Sequence, residues 1–577
     1  MTTLEELNGS PAADFVAALG GIFEHSPWVA ERVACERPFG SIRELHRRMA
    51  AVVMAAGDAE QLSLIRAHPQ LAGRAAVRGE LTAESTREQR GAGLSACTPP
   101  QFAALMELNA RYESRHGFPF ILAVKGHTPD SVIAALRMRV ALDPAQEKRV
   151  ALDEICRIAW FRLQAQVEEP LGAHILSMAG ELADLSEQPD GLTCTYLTPV
   201  HRATAQRLRD FMLAAGLDAH VDAVGNVVGV LRGAGEGPHL LTGSHYDTVI
   251  DAGRFDGRLG ILLPIAVAAR LQRQGCLLPF TLEIVAFAEE EGVRFGSTFL
   301  GSRALAGRFD AALLDRTDSA GVTMRAALEA AGHDPADVPK LRREPREMRG
   351  FVEVHIEQGP VLLTEKRPVG VVTAIAGCTR IGISVSGMAG HAGTVPMGLR
   401  RDAAAGAAEM VLAVEERCAG EPDLVGTVGR LEVPGGAVNV IPGRCELTLD
   451  VRSGNDLSRR AAIADLTARM HDVAAQRGLT VRLATLHDVD AVPCSSGLCQ
   501  ALASAAQRVT GEVPRRLPSG AGHDAMMMAT VTPVAMLFVR CGNDGISHHP
   551  SETMSEADAH VAADVFENFL MHFEAQA

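Results

Sequence analysis

The chain has 577 residues, too many for a single hydrophobic core, which predicts two to four domains. With 55 lysines and arginines against 70 aspartates and glutamates, its formal net charge is −15, which argues against nucleic acid and a membrane anchor as partners. Eleven cysteines without a CxxC pair, and the lack of a signal-peptide pattern or a long apolar run, predict a reduced, cytoplasmic protein without a membrane span.

Residues 1–166 show helical spacing and almost no strand signal. The segment SIRELHRRMAAVVMAA opens with a capping box at Ser41. The segment TPPQFAALMELNARYESRHG predicts a helix with Thr98 as N-cap, Pro99 at the first helical position and Gly117 past the end. Two more periodic segments follow, so this region is predicted to be an all-α domain.

Strands and helices alternate after this region. Segments such as HLLTGS, FTLEIVAFA and VAMLFVR are rich in branched and aromatic residues and are bounded by glycine or proline, as strands are. Their alternation with helical segments predicts an open, mostly parallel sheet with helices on both faces. This α/β catalytic domain is expected to span residues 170–375 and 489–577.

Residues 376–488 interrupt the α/β domain. Their segments follow the order β-α-β-β-α-β, which is the ferredoxin-like pattern. The alternation of strands and helices that is typical of the larger α/β domain resumes after these residues. The segment is therefore predicted to be an inserted domain.

Histidines and carboxylates follow several strands of the predicted sheet. In an open α/β sheet the site lies outside the carboxyl ends of the strands, so residues far apart in sequence can converge there. Imidazole and carboxylate without thiolate suit zinc, cobalt, nickel or manganese, and five such ligands with one bridging carboxylate suit two metals. An unligated carboxylate nearby would move the proton to the leaving group. The residues concerned are His245, Asp247, Asp256, Glu289, Glu290, Glu291, His355, His548 and His549.

Each of these side chains alone also has an ordinary structural interpretation. A single histidine or aspartate beside glycine is more often a turn residue or a helix cap. The acidic run at residues 289–291 is also typical of a solvated strand end. The metal-site hypothesis depends on all of these residues following strands in chain order.

Seven motifs resemble the dinuclear metallopeptidase-like amidohydrolases, and among them allantoate amidohydrolases and N-carbamoyl-L-amino-acid hydrolases. They are GSHYDTV, GRFDG, EEEGVRF, HIEQGPVL, GMAGHAGTVPM, NVIPG and GISHHPSE, and the resemblance covers residues 170–577. It implies a site with two divalent ions, zinc or manganese, that acts on small ureido compounds. It also implies that the inserted domain is a lid that carries the contact of a homodimer.

The resemblance implies a role for each matching residue of the metal site. His245 would bind one metal with Asp247 as its orienting partner, and Asp256 would bridge both metals. Glu290 would be the general base. The remaining implied ligands are Glu291, His355 and His548.

The resemblance also implies residues that contact the substrate. His391 in AGHAGT would reach the active site of the partner subunit and stabilise the tetrahedral oxyanion. Asn439 and Arg452 would bind the substrate carboxylate, which suits the planar fork of arginine, and Gln358 in HIEQG would also contact substrate. Taken alone, Arg452 is also typical of a surface strand, and His391 of a loop cap.

The helical region resembles 2-oxo-4-hydroxy-4-carboxy-5-ureidoimidazoline (OHCU) decarboxylase, which yields (S)-allantoin without a cofactor. The motifs are RAHPQLAG, STREQRGAGL, NARYESRHGFPFILAVKG and EICRIAWFRL. The resemblance implies His68 as the catalytic residue, with Glu88 as its acidic partner. It also implies a pocket shaped by Gln89, Phe118 and Ile121.

Two questions about the helical region stay open at the level of sequence. His68 precedes Pro69 at a helix end, so a capping role is the alternative to protonation of a carbanion by a histidine tuned to neutral pH. Either Arg139 or Arg162 is expected to hold a substrate carboxylate, and the sequence does not choose between them.

The two resemblances concern neighbouring compounds, since one activity produces allantoin and the other consumes allantoate, its ring-opened form. They predict a bifunctional enzyme of purine catabolism that releases ammonia, CO2 and ureidoglycine or ureidoglycolate from allantoate. The alternatives are an N-carbamoyl-amino-acid hydrolase, an aminopeptidase, or a helical half that serves only as a scaffold.

Overall fold

The computed structural model describes residues 2–40, 42–71, 94, 97–124, 127–168, 170–235 and 237–573. Within these residues, buried apolar side chains form one cluster in residues 4–167 and another in residues 381–481. Two further clusters lie on opposite faces of a large sheet, because neighbouring residues of each strand alternate between them.

The first cluster is built from helices. One helix (Pro99–His116) begins after the capping residue Thr98 and ends at Gly117, whose φ of +75° suits glycine, as its sequence predicts. The capping box at Ser41 lies outside the described residues. The helices are α1 (Leu4–Gly9), α2 (Ala12–Leu19), α3 (Trp28–Val33), α4 (Ile42–Ala55), α5 (Asp58–Ala67), α6 (Pro99–His116), α7 (Pro129–Arg139) and α8 (Pro144–Gln166).

The strands are β1 (Thr2–Thr3), β2 (Val167–Glu168), β3 (Asp218–Val221), β4 (Val227–Leu231), β5 (His239–His245), β6 (Leu282–Phe287), β7 (Met348–Ile356), β8 (Val369–Ile375), β9 (Gly377–Ser386), β10 (Gly390–His391), β11 (Leu424–Glu432), β12 (Val440–Ile441), β13 (Arg444–Ser453), β14 (Thr480–Val489), β15 (Val492–Pro493), β16 (Arg515–Ser519) and β17 (Val534–Val539). The helices after residue 170 are α9 (Leu171–Ala183), α10 (Pro199–Ala214), α11 (Leu259–Gln274), α12 (Leu300–Leu305), α13 (Met324–Ala330), α14 (Val361–Thr364), α15 (Ala403–Ala419), α16 (Asp456–Gln476), α17 (Ser496–Thr510), α18 (Asp524–Met528) and α19 (Glu556–His572). Short 3-10 helices span Ala34–Glu36, Ala311–Asp315, Pro335–Leu341, Pro345–Glu347, Met397–Leu399 and Asn543–Gly545.

The large sheet has the strand order β15-β8-β17-β7-β5-β6-β4-β3 in the described part of the chain, with β16 beside β8. Its centre, β17-β7-β5-β6, is parallel. On both sides of this centre the pairs β17–β8 and β6–β4 are antiparallel, as are the outer pairs β8–β15 and β4–β3. The prediction of a mostly parallel sheet is therefore right for the centre and for the parallel pair β8–β16, and wrong for these four antiparallel pairs. A helical crossover such as α11 imposes parallel strands, whereas the short β3–β4 connection imposes antiparallel ones.

The inserted unit runs from β9 to β14 and has its own sheet of order β11-β13-β9-β14, in which all pairs are antiparallel. Helices α15 and α16 contribute buried side chains to its core together with one face of this sheet. The opposite face of the sheet, which carries Arg380, Arg452 and His487, is not covered by these helices. A separate two-stranded pair, β10–β12, projects from the unit.

Among the described residues, no helix combines the length and the apolar character that crossing a bilayer requires.

Candidate active sites

Four neighbouring strands of the large sheet end at one cluster of side chains. His245 is the last residue of β5, and His355 is the last residue but one of β7. Glu290 and Glu291 follow β6, and His548 follows β17. These are the carboxyl ends of the parallel central strands, where the sequence pattern predicted a site.

Asp256 lies between two groups of ligand atoms. Its Oδ1 is 3.3 Å from Nε2 of His355 and 3.7 Å from Nε2 of His245. Its Oδ2 is 3.0 Å from Nε2 of His548, and that nitrogen is 3.4 Å from Oε1 of Glu291. In each group the ligand atoms lie within 4.8 Å of one another. Two triads that share Asp256 could therefore each hold a metal ion.

Main-chain carbonyls orient two of these imidazoles. Nδ1 of His355 is 2.8 Å from the carbonyl oxygen of Ile356, and Nδ1 of His245 is 3.1 Å from that of Asp247. A carbonyl oxygen can only accept a hydrogen bond, so each Nδ1 carries the proton. Each Nε2 therefore keeps a lone pair of the kind that a metal takes, and that of His355 accepts a hydrogen bond from the backbone N–H of Gly257 at 3.2 Å.

The carboxylate of Asp247 binds a different group from the one that the resemblance implies. Its two oxygens accept hydrogen bonds from the backbone N–H groups of Glu290 and Glu291, at 3.0 and 3.1 Å. Its Oδ1 is 3.5 Å from Nδ1 of His245, which is long for a hydrogen bond. Asp247 therefore orients His245 through its main-chain carbonyl and holds the loop after β6 through its carboxylate.

The cluster concentrates negative charge in a buried place. Burial raises the pKa of Glu290 well above its usual value and raises the pKa of Glu291 to about 7. Although burial opposes its charge, the neighbouring imidazoles of His245, His355 and His548 hold the pKa of Asp256 well below the usual range. Crowded carboxylates beside imidazole lone pairs form a donor set that fits divalent cations.

Gly257 is required by the packing of the first triad. Its φ is +67°, and a Cβ at this position would lie 2.4 Å from Nε2 of His245. Any side chain here would displace a ligand atom in addition to straining the backbone. This accounts for glycine directly after Asp256.

Of the implied substrate contacts, Gln358 and Arg452 lie at this site, whereas His391 and Asn439 do not. Gln358 donates a hydrogen bond to Oδ2 of Asp256 at 3.0 Å. His391 and Asn439 are exposed on or beside the β10–β12 pair, and Nδ1 of His391 accepts a turn hydrogen bond from Gly393. Neither residue lines the cavity of its own chain.

The cavity has a volume of about 450 Å³ and separates the ligand cluster from the open face of the inserted sheet. Arg452 reaches across it and donates from Nη1 to the carbonyl oxygen of Gly520 at 2.9 Å. The other lining residues from outside the ligand cluster are Thr298, Phe299, Arg303, Ala376, Cys378, Arg380, His487, Val489, Ala521, Gly522, Met526 and Met527.

His68 forms a second candidate site, at the end of α5. It is buried, and its Nδ1 is 3.0 Å from the carbonyl oxygen of Leu64, so Nε2 is left as the acceptor. Burial lowers its pKa to about 4, with Glu24 acting in the opposite direction and Arg162 in the same direction. His68 is therefore neutral at pH 7, which differs from the expected histidine that is tuned to neutral pH.

The surroundings of the two arginines distinguish Arg162 from Arg139. Arg162 forms a buried ion pair with Glu24 at 2.6 Å, and both charges act on His68. Arg139 instead pairs with Glu147 and donates to the carbonyl oxygen of Ile121, so it is bound within the core. Arg162 is therefore the arginine at the His68 site.

The other implied pocket residues of the helical region are only partly described. Glu88 and Gln89 lie outside the described residues. Phe118 and Ile121 are both buried, and the ring of Phe118 packs against the rings of Tyr112 and His116. The structure thus assigns these two side chains to the core of the helical region.

The family model described as peptidase family M20/M25/M40 matches residues 217–572. The chain belongs to this family. The family model described as OHCU decarboxylase matches residues 8–164 of the same M20-family chain, so its N-terminal region is a domain of that second family.

Relatives of the M20-family region include allantoate deiminases and N-carbamoyl-L-amino-acid amidohydrolases. Allantoate deiminase of Arabidopsis thaliana is 42% identical over 421 residues, covering 68% of this chain and 80% of the relative. N-carbamoyl-L-amino acid amidohydrolase of Geobacillus stearothermophilus is 38% identical over 387 residues, covering 67% of this chain and 94% of the relative. A hydantoinase/carbamoylase-family amidase from Burkholderia multivorans, known from its crystal structure, is 32% identical in sequence and superposes with a TM-score of 0.66. The match covers 69% of this chain and 97% of the amidase chain.

Sequence reasoning missed side chains that contact and orient the candidate metal ligands of the M20 region. Glu552 accepts hydrogen bonds from the backbone N–H of Asp256 and of the residue before it. Ser547 lies 2.9 Å from Oδ2 of Asp256, and the ring of His523 packs edge-on against His355 at 4.5 Å. Ser547 and Glu552 belong to the motif GISHHPSE, which was a usable signal, whereas His523 lies outside all of the quoted motifs, although its ring groups with Glu353 and His355 as possible metal donors.

Proposed function

We propose that the chain is a bifunctional enzyme of purine catabolism. The M20 half hydrolyses a ureido group of allantoate, giving ammonia, CO2 and ureidoglycine or its hydrolysis product ureidoglycolate. The N-terminal half decarboxylates OHCU to (S)-allantoin. The observation that carries this proposal is the presence, in one chain, of an OHCU decarboxylase domain and a ureido-hydrolase-like site whose two triads share Asp256. The hydrolysis that opens the allantoin ring lies between these two activities.

The M20 site is proposed to take two divalent ions. One would be held by His245, Asp256 and His355, and the other by Asp256, Glu291 and His548. Such a pair supplies Lewis acidity, which lowers the pKa of water and polarises a carbonyl group. Imidazole ligands suit zinc, and the oxygen-rich composition suits manganese nearly as well.

Glu290 is proposed to transfer the proton during hydrolysis. Its ligand atom lies within 4.8 Å of those of His245 and Glu291, but it belongs to neither of the triads that share Asp256. Its raised pKa suits a carboxyl group that accepts a proton from water and then delivers it to the departing nitrogen.

A homodimer through the ferredoxin-like inserted unit, acting as a lid, is proposed to complete the site. His391 and Asn439 lie outside the cavity of their own chain, which supports a role in the site of a second copy. Apolar side chains close to them in sequence, Met397 and Val438, are 77% and 106% exposed in the single chain, as expected for a surface that another subunit covers. Arg452 would bind the substrate carboxylate from within the same chain.

The helical half is proposed to use His68 together with Arg162. Arg162 would hold the single carboxylate of OHCU until it leaves as CO2. A neutral His68 could not protonate a carbanion directly, but the negative charge of a bound substrate raises the pKa of a neighbouring histidine. His68 would then acquire a proton when the substrate binds and deliver it to one face of the carbanion.

The second candidate for the M20 half is hydrolysis of N-carbamoyl-L-amino acids. Both substrates present a ureido group and a carboxylate, and relatives of both kinds are similar to this chain. The side chains of Phe299, Met526 and Met527 give the cavity an apolar wall that would suit an aliphatic amino acid. The decarboxylase domain favours allantoate.

The test is ammonia release by chelator-treated protein from allantoate and from N-carbamoyl amino acids, before and after addition of manganese or zinc. We expect metal-dependent turnover that favours allantoate. Formation of (S)-allantoin from OHCU is followed in parallel for His68→Ala and Glu290→Gln, each serving as the control for the other half. Preference for N-carbamoyl amino acids would support the second candidate, and unchanged decarboxylation by His68→Ala would support a scaffold role for the helical half.

A further inference from the structure

The open face of the inserted sheet presents two polar side chains to the cavity that no role yet explains. Arg380 on β9 and His487 on β14 are directly paired across the two strands. Side chains at directly paired positions lie on the same face of a sheet. Both residues line the cavity that also contains the ligand cluster.

Arg380 is held in place on one edge only. Its Nε is 2.9 Å from Oδ2 of Asp450, which is its partner on the neighbouring strand β13. The same carboxylate receives Nε and Nη2 of Arg452 at 2.9 and 3.1 Å. In the described part of the chain, the two Nη groups of Arg380 have no hydrogen-bond partner, and the side chain is 51% exposed. Asp450 thus fixes the orientation of a guanidinium group whose outer N–H groups remain available.

The proposed substrates divide into three parts around one carbon. The reacting ureido group belongs at the ligand cluster, and the carboxylate belongs with Arg452. Allantoate has a second ureido group as its third arm, whereas an N-carbamoyl amino acid has its side chain there. Arg380 and His487 are on the inserted unit, across the cavity from the ligand cluster, and are placed for this third arm. Thr298 and Arg303, which also line the cavity, lie outside the inserted unit.

We propose that Arg380 and His487 bind the arm of the substrate that is not cleaved, and that they select a polar, hydrogen-bonding arm such as a ureido or amide group. This inference rests on the proposed function and deepens it. The ureido carbonyl accepts from the outer N–H groups of Arg380, and its NH2 group can donate to a ring nitrogen of His487. An aliphatic arm in the same place removes water from the guanidinium group and returns no hydrogen bond, which opposes its binding.

The test compares kcat/KM of the metal-loaded full-length protein on substrates with and without a polar arm. Allantoate has the second ureido group, and N-carbamoylglycine has only hydrogen in its place. Arg380→Met keeps the length of the side chain and removes its donors. We expect kcat/KM for allantoate to fall about 10- to 100-fold, the range for one hydrogen bond to a charged group. Turnover of N-carbamoylglycine should be unchanged, and His487→Leu should act in the same direction.

Arg444→Met is the matched control. Arg444 is also on the inserted sheet, pairs with the acidic residue Glu446 and is 63% exposed, but it does not line the cavity. This variant should change kcat/KM for neither substrate. An equal loss on allantoate and N-carbamoylglycine for Arg380→Met, no loss on either, or a similar effect of Arg444→Met would overturn the inference.

The proposed function and the inference about Arg380 and His487 can fail independently of each other. If the unaltered protein does not hydrolyse allantoate, that function is wrong, and N-carbamoyl-L-asparagine then serves as the substrate with a polar arm. Selective loss of its turnover relative to N-carbamoylglycine in Arg380→Met would still support the inference. If the ratio of N-carbamoyl-L-asparagine turnover to N-carbamoylglycine turnover is the same in the variant and the unaltered protein, the inference is refuted.

Discussion

Replacing Glu147 by glutamine should destabilise the helical domain strongly. The Glu147 side chain has no exposed surface, and its carboxylate accepts hydrogen bonds from Nε and Nη2 of Arg139 and from the hydroxyl of Tyr112. Arg139 is itself 10% exposed and donates from Nη1 to the carbonyl oxygen of Ile121 at 2.7 Å. Glu147→Gln therefore leaves a buried guanidinium charge without its counterion.

Removing one member of a buried ion pair costs about 3–5 kcal/mol, because the other charge stays buried and uncompensated. The amide oxygen of glutamine still accepts one hydrogen bond, so we expect the lower end of this range, about 3 kcal/mol. In a domain of this size each kcal/mol lowers the unfolding midpoint by about 2–4 °C, which predicts a decrease of roughly 6–12 °C.

Tryptophan fluorescence isolates this transition in the full-length chain. The protein has two tryptophans, Trp28 and Trp160, and both lie in the helical domain. The control is Asp153→Asn on the same helix, because the Arg149–Asp153 contact is 3.8 Å long with side chains 73% and 57% exposed. It should shift the midpoint by no more than about 2 °C. If Glu147→Gln shifts the midpoint no more than this control does, the argument from the buried charge is refuted.

Three further outcomes are expected. Glu290→Gln should keep the metal content found by mass spectrometry while kcat for ammonia release falls about 10²- to 10⁴-fold, and loss of metal would instead make Glu290 a ligand. Gly257→Ala should weaken metal binding about 10- to 100-fold in a chelator competition assay, since its Cβ would lie 2.4 Å from Nε2 of His245; unchanged affinity would contradict this packing. Burial lowers the pKa of both His68 and His46 to about 4, so the unfolded chain binds more protons than the folded one between that pH and the ordinary value of 6.5. The stability of the helical domain should therefore fall as the pH drops from 6.5 toward 4, by roughly 3 kcal/mol for each histidine, and a flat profile in denaturant titrations followed by fluorescence would contradict the shifts.

Local sequence signals were sufficient for most helices and strands. Thr98 and Gly117 define the ends of α6 because capping and a left-handed turn depend on residues adjacent in the chain. Likewise, β5, β6, β7 and β17 are visible as runs of branched and aromatic residues. The positions of His245, His355 and His548 relative to these strands could therefore be predicted together with the sheet.

Only the tertiary structure decided which of these residues meet and in what environment. The antiparallel flanks of the large sheet, the loop contacts of the Asp247 carboxylate and the position of His391 outside the cavity all depend on partners distant in sequence. The same holds for the assignment of Arg162 rather than Arg139 to the His68 site. The physical reason is the distance along the chain over which each property is determined. Caps and strand periodicity depend on residues within one short segment, whereas burial, ion pairing and pKa depend on side chains that are distant in sequence and adjacent only in the folded protein.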